Sequence, residues 1–483
     1  MNLFEKSLII AAILIILSVV ASKASSRFGI PALVLFLLIG MGVGNHGLHE
    51  APLITYELAQ QLGIFALIFI LFSGGLNTKI KNVRPVLKPA LILSTIGVII
   101  STALVGVFSY FVLDLTLIEG LLLGATVSST DVAAVFTVLR SKSVSLKDGV
   151  GPLLELESAL NDPMTVFLGV GLLSLVLKQS QPLINLVPLF FQQMVFGSLL
   201  GWAFGKITVQ IINRIKLEFD GLYPVLSIGW ILLTYAATQF VGGSGFLAVY
   251  IVGIILGNEN LLHKKSLVHF HEGIAWLMQI AMFLAMGLLV NPVELMDIAP
   301  IGIALSLFLV FVARPTSVFV SFVRSQFSTQ EKLMISWGGL RGAVPIILAT
   351  YPFVAQIPQA RTIFNLVFFV TFISVLLQGA SIPFVAKWLK VDVALKEKFR
   401  FPIEFNPTKD LRNKLVEVTV SKSSALVNKS LLELALPNDL LIVLVQRDGD
   451  IIVPRGGTYL TAGDTLLVFA EKKSADEVRQ FFS

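Results

Sequence analysis

The sequence of 483 residues contains no cysteine, only five histidines and few charged residues (14%). The lack of cysteine excludes disulfides, thiolate metal sites and thiol catalysis. The low charge argues against a soluble enzyme, because a soluble domain is typically about 25% charged. Apolar residues make up 55% of the chain. These are too many for polar groups to cover the surface, so most of the surrounding solvent must be lipid.

Long apolar runs predict thirteen membrane-spanning helices, because a spanning helix needs roughly 20 such residues. The first run has no cleavage site after it, so we interpret it as a span and not as a removed signal. The thirteen predicted spans are residues 5–22, 30–44, 57–76, 89–113, 117–139, 149–177, 183–212, 222–240, 244–258, 273–290, 299–323, 333–352 and 362–388.

Basic residues are unevenly divided between the alternate loops of these spans. One set of loops, from Lys23 to Lys332, contains fifteen of them, whereas the other set contains only Lys6, Lys178 and Arg361. The positive-inside rule therefore places the first set in the cytoplasm, with the N-terminus outside and the C-terminus inside.

The fifth predicted span contains a polar run from Gly124 to Asp131 that cannot face lipid. Its hydroxyl side chains compete for backbone hydrogen bonds, which favours an unwound segment. Exposed carbonyls of such a segment can bind a cation, and a half-helix N-terminus attracts a carboxylate such as Asp131. A contact between helices would explain the hydroxyls but not the charge.

The sixth predicted span carries Glu157 and Asn161 at positions i and i+4, and Ser158 and Asp162 at the same spacing. All four therefore share one polar helix face. Asp162 is the best candidate for a titrating cation ligand, because one carboxylate cannot bind a proton and a cation together. Glu155 is expected to lie off this face and to have no role.

The twelfth predicted span contains Arg341 among three glycines and Pro345, a pattern typical of a broken helix. A guanidinium at membrane depth needs a carboxylate, which must be Glu157 or Asp131. Arg314 in the eleventh span is interpreted as part of a kink with structural pairing. The fifth and twelfth spans cross in opposite directions, which predicts inverted six-span repeats with crossed discontinuous helices.

The composition changes after the last span. Residues 1–388 are predicted to form the transmembrane domain, 389–409 a charged linker and 410–483 a small cytosolic α+β domain. Alternating runs predict strands there, and Ser430–Leu436 and Ser474–Phe482 are predicted to be helical. The module carries 9 basic and 10 acidic residues. This balance argues against a nucleic-acid partner.

Three motifs resemble the signatures of the cation:proton antiporter-1 family, in its NhaP-type branch. They are Ser129-Thr130-Asp131, the run from Glu157 to Asp162, and the run from Gly339 to Val344. The residues of these motifs are most similar to those of the potassium/proton antiporter subgroup, and the C-terminal module resembles a TrkA-C (RCK-C) domain.

The resemblance implies a homodimer in the lipid bilayer that works by an elevator-like motion. It implies that Asp162 binds K⁺ or Na⁺ and H⁺ alternately, with Ser158 and the Thr130 backbone as further ligands. Asp131 would balance the half-helix ends, Asn161 would organise the site, and Glu157 would pair with Arg341. Ser73 stands where many relatives have an acidic residue. It is a candidate accessory residue, and its neutrality is compatible with potassium.

The expected function is electroneutral, one-for-one exchange of a monovalent cation, K⁺ favoured, for H⁺ in a prokaryotic inner membrane, with a role in pH homeostasis. Sodium/proton antiport at the same site is the main alternative, and a ligand-gated cation channel or a membrane sensor are others. We expect no cofactor apart from the transported ions. The TrkA-C module would regulate transport by binding adenine nucleotides or cyclic dinucleotides, or would clamp a dimer without a ligand.

Overall fold

The computed structural model describes residues 3–28, 31–46, 54–147, 149–177, 182–215, 217–261 and 263–394, and in the C-terminal part 414–421, 424, 426–434, 436, 440–447 and 450–470. The chain divides into two compact units, Met1–Leu395 and Lys396–Ser483.

The first unit is almost entirely helical. Its helices are α1 (Leu3–Phe28), α2 (Ala32–His46), α3 (Tyr56–Asn77), α4 (Ile80–Val83), α5 (Leu87–Ile92), α6 (Val98–Val112), α7 (Leu117–Thr126), α8 (Val132–Ser141), α9 (Val150–Leu177), α10 (Leu186–Arg214), α11 (Leu222–Phe240), α12 (Gly245–Asn258), α13 (Lys264–Leu289), α14 (Pro292–Phe308), α15 (Arg314–Ser321), α16 (Thr329–Trp337), α17 (Ala343–Val354), α18 (Ala360–Ser374) and α19 (Ala380–Trp388).

Several of these helices are long and apolar enough to cross a membrane. Within the described ranges, seven stretches meet that criterion: Tyr56–Asn77, Ile80–Val112, Val150–Leu177, Leu183–Arg214, Lys264–Leu289, Pro292–Ser321 and Ala360–Trp388. Shorter apolar helices lie in five of the other six predicted spans, and α11 occupies the sixth, 222–240. The polytopic helical fold is therefore confirmed, and the total of thirteen crossings stays a prediction.

The helices pack in two groups, which meet where α17 contacts α3 and α13. In one group α3 contacts α12 and α13, α2 contacts α13, and α10 contacts α12. In the other group α7 contacts α6 and α9, and α18 contacts α14 and α17. Glycines allow the closest approaches. A β-carbon added at Gly253 of α12 would collide with the α3 backbone at Phe72, as expected where small residues line a membrane helix contact.

Two pairs of matching irregularities relate the halves of this unit. Two breaks in the helices, which are the non-helical segments 127–131 and 338–342, separate α7 from α8 and α16 from α17. π-helical turns at Leu93–Gly97 and Leu309–Ala313 interrupt the fourth and eleventh predicted spans. The first π turn packs on α15 and the second on α6. This reciprocal packing agrees with the predicted inverted repeat.

A short sheet joins two distant parts of the first unit. Strand β1 (Val144–Leu146) follows α8 and pairs antiparallel with β2 (Asp392–Ala394), which follows α19. Leu146 is opposite Asp392. The first residues of the predicted linker are thus paired with the loop before α9.

The second unit contains an antiparallel sheet in the order β3-β6-β4-β5. Its strands are β3 (Lys414–Thr419), β4 (Leu440–Arg447), β5 (Asp450–Ile452) and β6 (Thr465–Ala470). Val418 pairs with Leu466 in its core. Residues 431–434 form turns instead of the predicted helix, because an isolated segment this short gains little from helical hydrogen bonds. The helix predicted at 474–482 lies outside the described residues.

Candidate functional site

The two helix breaks, 127–131 and 338–342, cross each other. At this crossing the Asp131 backbone N–H donates to Leu340 O at 2.6 Å. Two hydroxyls at this end of α7 turn back on the helix: Thr126, its last residue, donates to Leu122 O at 2.8 Å, and Ser128 of the break donates to Gly124 O at 2.6 Å. The Ser128 bond satisfies one of the last four carbonyls of α7, which supports the prediction of an unwound segment rich in small hydroxyls.

Asp162 lies in the middle of α9 beside this crossing and is only 7% exposed. Ser129 Oγ donates to its Oδ1 at 2.6 Å. No basic side chain of the described residues lies within ion-pair distance of it. Asp162 is therefore a buried carboxyl group that a neighbouring hydroxyl contacts and no protein cation neutralises.

Ser158, Asn161 and Thr130 form a hydrogen-bonded group next to Asp162. Ser158 Oγ donates to Thr130 O at 2.7 Å, and Asn161 Nδ2 donates to Thr130 Oγ1 at 2.6 Å. The Thr130 N–H is 3.4 Å from Asn161 Oδ1. Asn161 thus contacts both the backbone and the side chain of Thr130. Ser158 and Thr130 present neighbouring oxygen atoms.

Asp131 caps the N-terminus of α8. Its Oδ1 accepts hydrogen bonds from the N–H groups of Ala133 at 3.0 Å and Ala134 at 3.4 Å. Its side chain also packs on Gly342, where any β-carbon would collide with it. The positive end of the helix dipole compensates the negative charge of this carboxylate.

Glu157 pairs with Arg314, and the prediction that it pairs with Arg341 is wrong. Arg314 Nη1 donates to Glu157 Oε1 at 3.0 Å and Nη2 to Oε2 at 3.1 Å, a bidentate pair in which the side chains are 3% and 1% exposed. Asn161 Nδ2 donates to the same carboxylate at 3.1 Å. Arg314 begins α15 directly after the π turn at Leu309–Ala313. A π turn contains one residue more than an α-helical turn, and this insertion rotates Arg314 so that its guanidinium faces α9.

Arg341 contacts backbone oxygens instead. Its Nη1 donates to Ser128 O and to Ser129 O, the latter at 3.0 Å. Its own N–H donates to Ser374 Oγ at 3.0 Å. Because the carbonyls just beyond α7 carry the negative end of that helix dipole, they can solvate a guanidinium without a carboxylate. Arg341 therefore ties the second break to the first.

Ser73 is 6% exposed on α3, and no hydrogen bond within the described residues joins its hydroxyl to the side chains above. Glu155 does have a partner, because Thr78 Oγ1 donates to its Oε1 at 3.0 Å. Glu155 is seven residues from Asp162 and so lies on the same side of α9. Counting pairs at i+7 as well as i+4 would have found it.

The crossing brings together oxygen atoms of the type that hard cations prefer. The Asp162 carboxylate, Ser158 Oγ and Thr130 O are the candidates to hold a transported K⁺ or Na⁺. No described group of His, Asp or Glu side chains has the arrangement of a multidentate metal site.

Comparison with known proteins identifies the family. The profile "Sodium/hydrogen exchanger, transmembrane" matches residues 10–388. This chain belongs to the sodium/hydrogen exchanger family. It is a multi-pass membrane protein and a cation/proton antiporter, and the transport proteins that it resembles are not enzymes. The TrkA-C domain profile matches residues 415–483.

Individual relatives cover nearly the whole chain. The K(+)/H(+) antiporter NhaP2 of Shewanella oneidensis is 39% identical over 484 residues, which is 98% of this chain and 83% of that protein. The K(+)/H(+) antiporter NhaP of Alkalimonas amylolytica is 35% identical over 99% of this chain and 83% of its own length. The solved structure of the sodium proton antiporter MjNhaP1 from Methanocaldococcus jannaschii at pH 8 matches with a TM-score of 0.70 and 26% identity, covering 80% of this chain and 99% of that one.

Proposed function

We propose that this exchanger carries one monovalent cation, K⁺ in preference to Na⁺, against one H⁺, and that Asp162 is the group that binds both in turn. The supporting observation is that Asp162 is the buried carboxyl group at the crossing for which the described residues supply no compensating charge. Glu157 is compensated by Arg314 and Asp131 by the α8 N-terminus.

The charges at the crossing support a stoichiometry of one to one. Asp131, Glu157 and Asp162 are three carboxylates, whereas Arg314 and Arg341 supply two positive charges. The site therefore has one net negative charge when Asp162 is ionised. Either one proton or one alkali cation neutralises it, and a neutral site is the one that can cross the low-dielectric interior at least cost.

Potassium is favoured by two observations. Ser73 leaves α3 without a carboxylate at that position, so the proposed ligands carry one charge, which suits a large, weakly hydrated ion. The relatives that align over nearly the full chain are named K(+)/H(+) antiporters. MjNhaP1, named a sodium proton antiporter, aligns over 80% of this chain at 26% identity.

The test is exchange in proteoliposomes with K⁺, Na⁺, Rb⁺ and Li⁺ in turn. Wild type should exchange K⁺ for H⁺ at a rate that does not change with an imposed membrane potential. Asp162→Asn should abolish exchange, because an amide neither releases a proton nor balances a cation. Asp297→Asn, the same change at an exposed position, is the matched control. Exchange retained by Asp162→Asn would move the site elsewhere, and a Na⁺ preference would leave the site but reverse the selectivity.

We further propose a homodimer in a prokaryotic inner membrane, with the N-terminus outside and the C-terminus in the cytoplasm. The orientation rests on the unequal loop charges. In this proposal the helices around α7, α9 and α18 move as one body against those around α3 and α12, and they carry the site across in an elevator-like motion. The TrkA-C domain regulates this motion, with a nucleotide as its proposed ligand and pH homeostasis as the outcome.

A further inference from the structure

Glu155 lies two helical turns from Asp162 along α9. Seven residues separate them, which is a rotation of only about 20° from alignment and a rise of about 10 Å. Ser158 lies between the two carboxylates. Because α9 begins at the predicted cytoplasmic end, Glu155 is nearer to that surface than Asp162.

The contacts of Glu155 reach across to the other group of helices. Thr78 Oγ1, just after α3, donates to Glu155 Oε1 at 3.0 Å and is 2.9 Å from Gly74 O. The single Thr78 proton is directed to these acceptors, so Tyr250 OH of α12, at 3.3 Å, donates to Thr78 Oγ1. Carboxylate and hydroxyl oxygens from α9, α3 and α12 therefore meet at one point.

Glu155 has no basic partner in the part of the chain that the structure describes. Within the described ranges, no Lys, Arg or His lies within ion-pair distance of Glu155. Arg140, in the last turn of α8, is the basic side chain whose charge acts on it from a greater distance. Glu155 thus has a negative charge with one hydrogen-bond donor and capacity for a further positive partner.

Glu155 lies on a helix face that is incompletely buried near the start of α9. Pro152, Glu155 and Ala159 are half-buried, whereas Leu153 and Leu156 on the other sides of the helix are buried. These half-buried residues follow the spacing of one helix face, and Ser158 and Asp162, further along that face, are buried.

We propose that Glu155 is a staging carboxylate, which holds the transported cation on the predicted cytoplasmic side before it reaches Asp162. This inference rests on the proposed function. A negative group that lines the approach to a site raises the local concentration of the cation there. Glu155 is thus a positioning residue for the cation, and it acts through its charge.

The charge and the hydrogen bond of Glu155 can be separated by three variants. Glu155→Gln keeps an oxygen for Thr78 and removes the charge. Glu155→Asp keeps the charge but is one methylene too short to make the same contact. Thr78→Val removes the donor. Glu218→Gln, which removes a charge at an exposed site of the loop before α11, controls for the general surface potential.

The readout is the apparent KM and the maximal rate for the cation that wild type transports, measured in inside-out membrane vesicles so that the cytoplasmic face meets the added cation. Glu155→Gln should raise KM between about twofold and about fifteenfold, the range for a charge about 10 Å away at dielectric constants from water to a protein interface. Its maximal rate should stay close to that of wild type. Glu155→Asp, Thr78→Val and Glu218→Gln should keep the wild-type KM.

Two results would overturn the inference while leaving the proposed function intact. One is a wild-type KM in a functional Glu155→Gln protein. The other is an equal rise of KM in Glu155→Asp and Thr78→Val, which would assign the effect to the hydrogen bond. If Glu155→Gln does not fold, the last two variants still decide, because the inference requires both to keep the wild-type KM. Absence of exchange by wild type would overturn the proposed function and this inference together.

Discussion

The pairing of Glu157 with Arg314 rather than Arg341 can be tested by paired substitutions. Arg314→Met leaves the Glu157 carboxylate buried with only Asn161 Nδ2 at 3.1 Å and Thr130 Oγ1 at 3.4 Å as donors. Removal of one partner from a buried ion pair typically costs about 3–5 kcal/mol. We therefore expect Arg314→Met to lower the melting temperature of the purified protein by several degrees.

The double substitution Glu157→Gln with Arg314→Met should recover most of this loss, because replacement of a whole buried pair is often close to neutral. The expected coupling energy is therefore at least about 2 kcal/mol, within the range for residues in direct contact. Arg341→Met is the matched control. It also removes a buried guanidinium, but its contacts are the carbonyls of Ser128 and Ser129. Its coupling with Glu157→Gln should be below about 1 kcal/mol.

The assay is the melting temperature of each variant by size-exclusion chromatography after heating, in one detergent and at one pH. Each cycle compares the wild type, the two single variants and the double variant, and the differences among their melting temperatures give the coupling between the two side chains. A larger coupling of Glu157 with Arg341 than with Arg314 would refute the assignment of partners.

Two further predictions concern other contacts. Gly342→Ala should abolish exchange or folding, because its β-carbon would collide with Asp131. Gly229→Ala, where nothing lies within 4 Å of the added β-carbon, should match wild type in expression and exchange. An active Gly342→Ala protein would show that the crossing is packed less tightly. Burial would raise the pKa of Asp464, but hydrogen bonds, chiefly from Arg447, outweigh it and hold the pKa below its ordinary value. The stabilisation is thus present above the ordinary carboxyl pKa and is lost as pH falls through the folded-state pKa. Asp464→Asn should speed hydrogen exchange in β6 of the full chain at neutral pH, and this difference should vanish in acid; no difference at neutral pH would contradict it.

The local part of the site could be predicted from the sequence. Ser158 and Asp162 share a helix face because their spacing is that of one helical turn. The hydroxyl run before Asp131 and the glycines before Arg341 are local signals of unwinding, and both breaks occur there. Such features depend on neighbouring residues only, so composition and spacing are enough to find them.

The partners of charged groups could not be predicted in the same way. Arg314 and Glu157 are 157 residues apart in the chain, and which arginine reaches the carboxylate is decided by tertiary packing. Spacing at 3.6 residues per turn misplaces Arg314, because a π turn precedes it. The pairing of β1 with β2 was missed for a related reason. Strands of three residues give too weak a pattern to distinguish them from a loop.

The π turn at Leu309–Ala313 makes the buried ion pair depend on chain length as well as on residue type. One residue more or less in a helix rotates everything beyond it by about 100°. Loss of a single residue from this turn would leave both Glu157 and Arg314 in the sequence, yet it would swing the guanidinium away from α9. Proteins that evolve from this exchanger can therefore keep the ion pair only if they also keep the length of this turn.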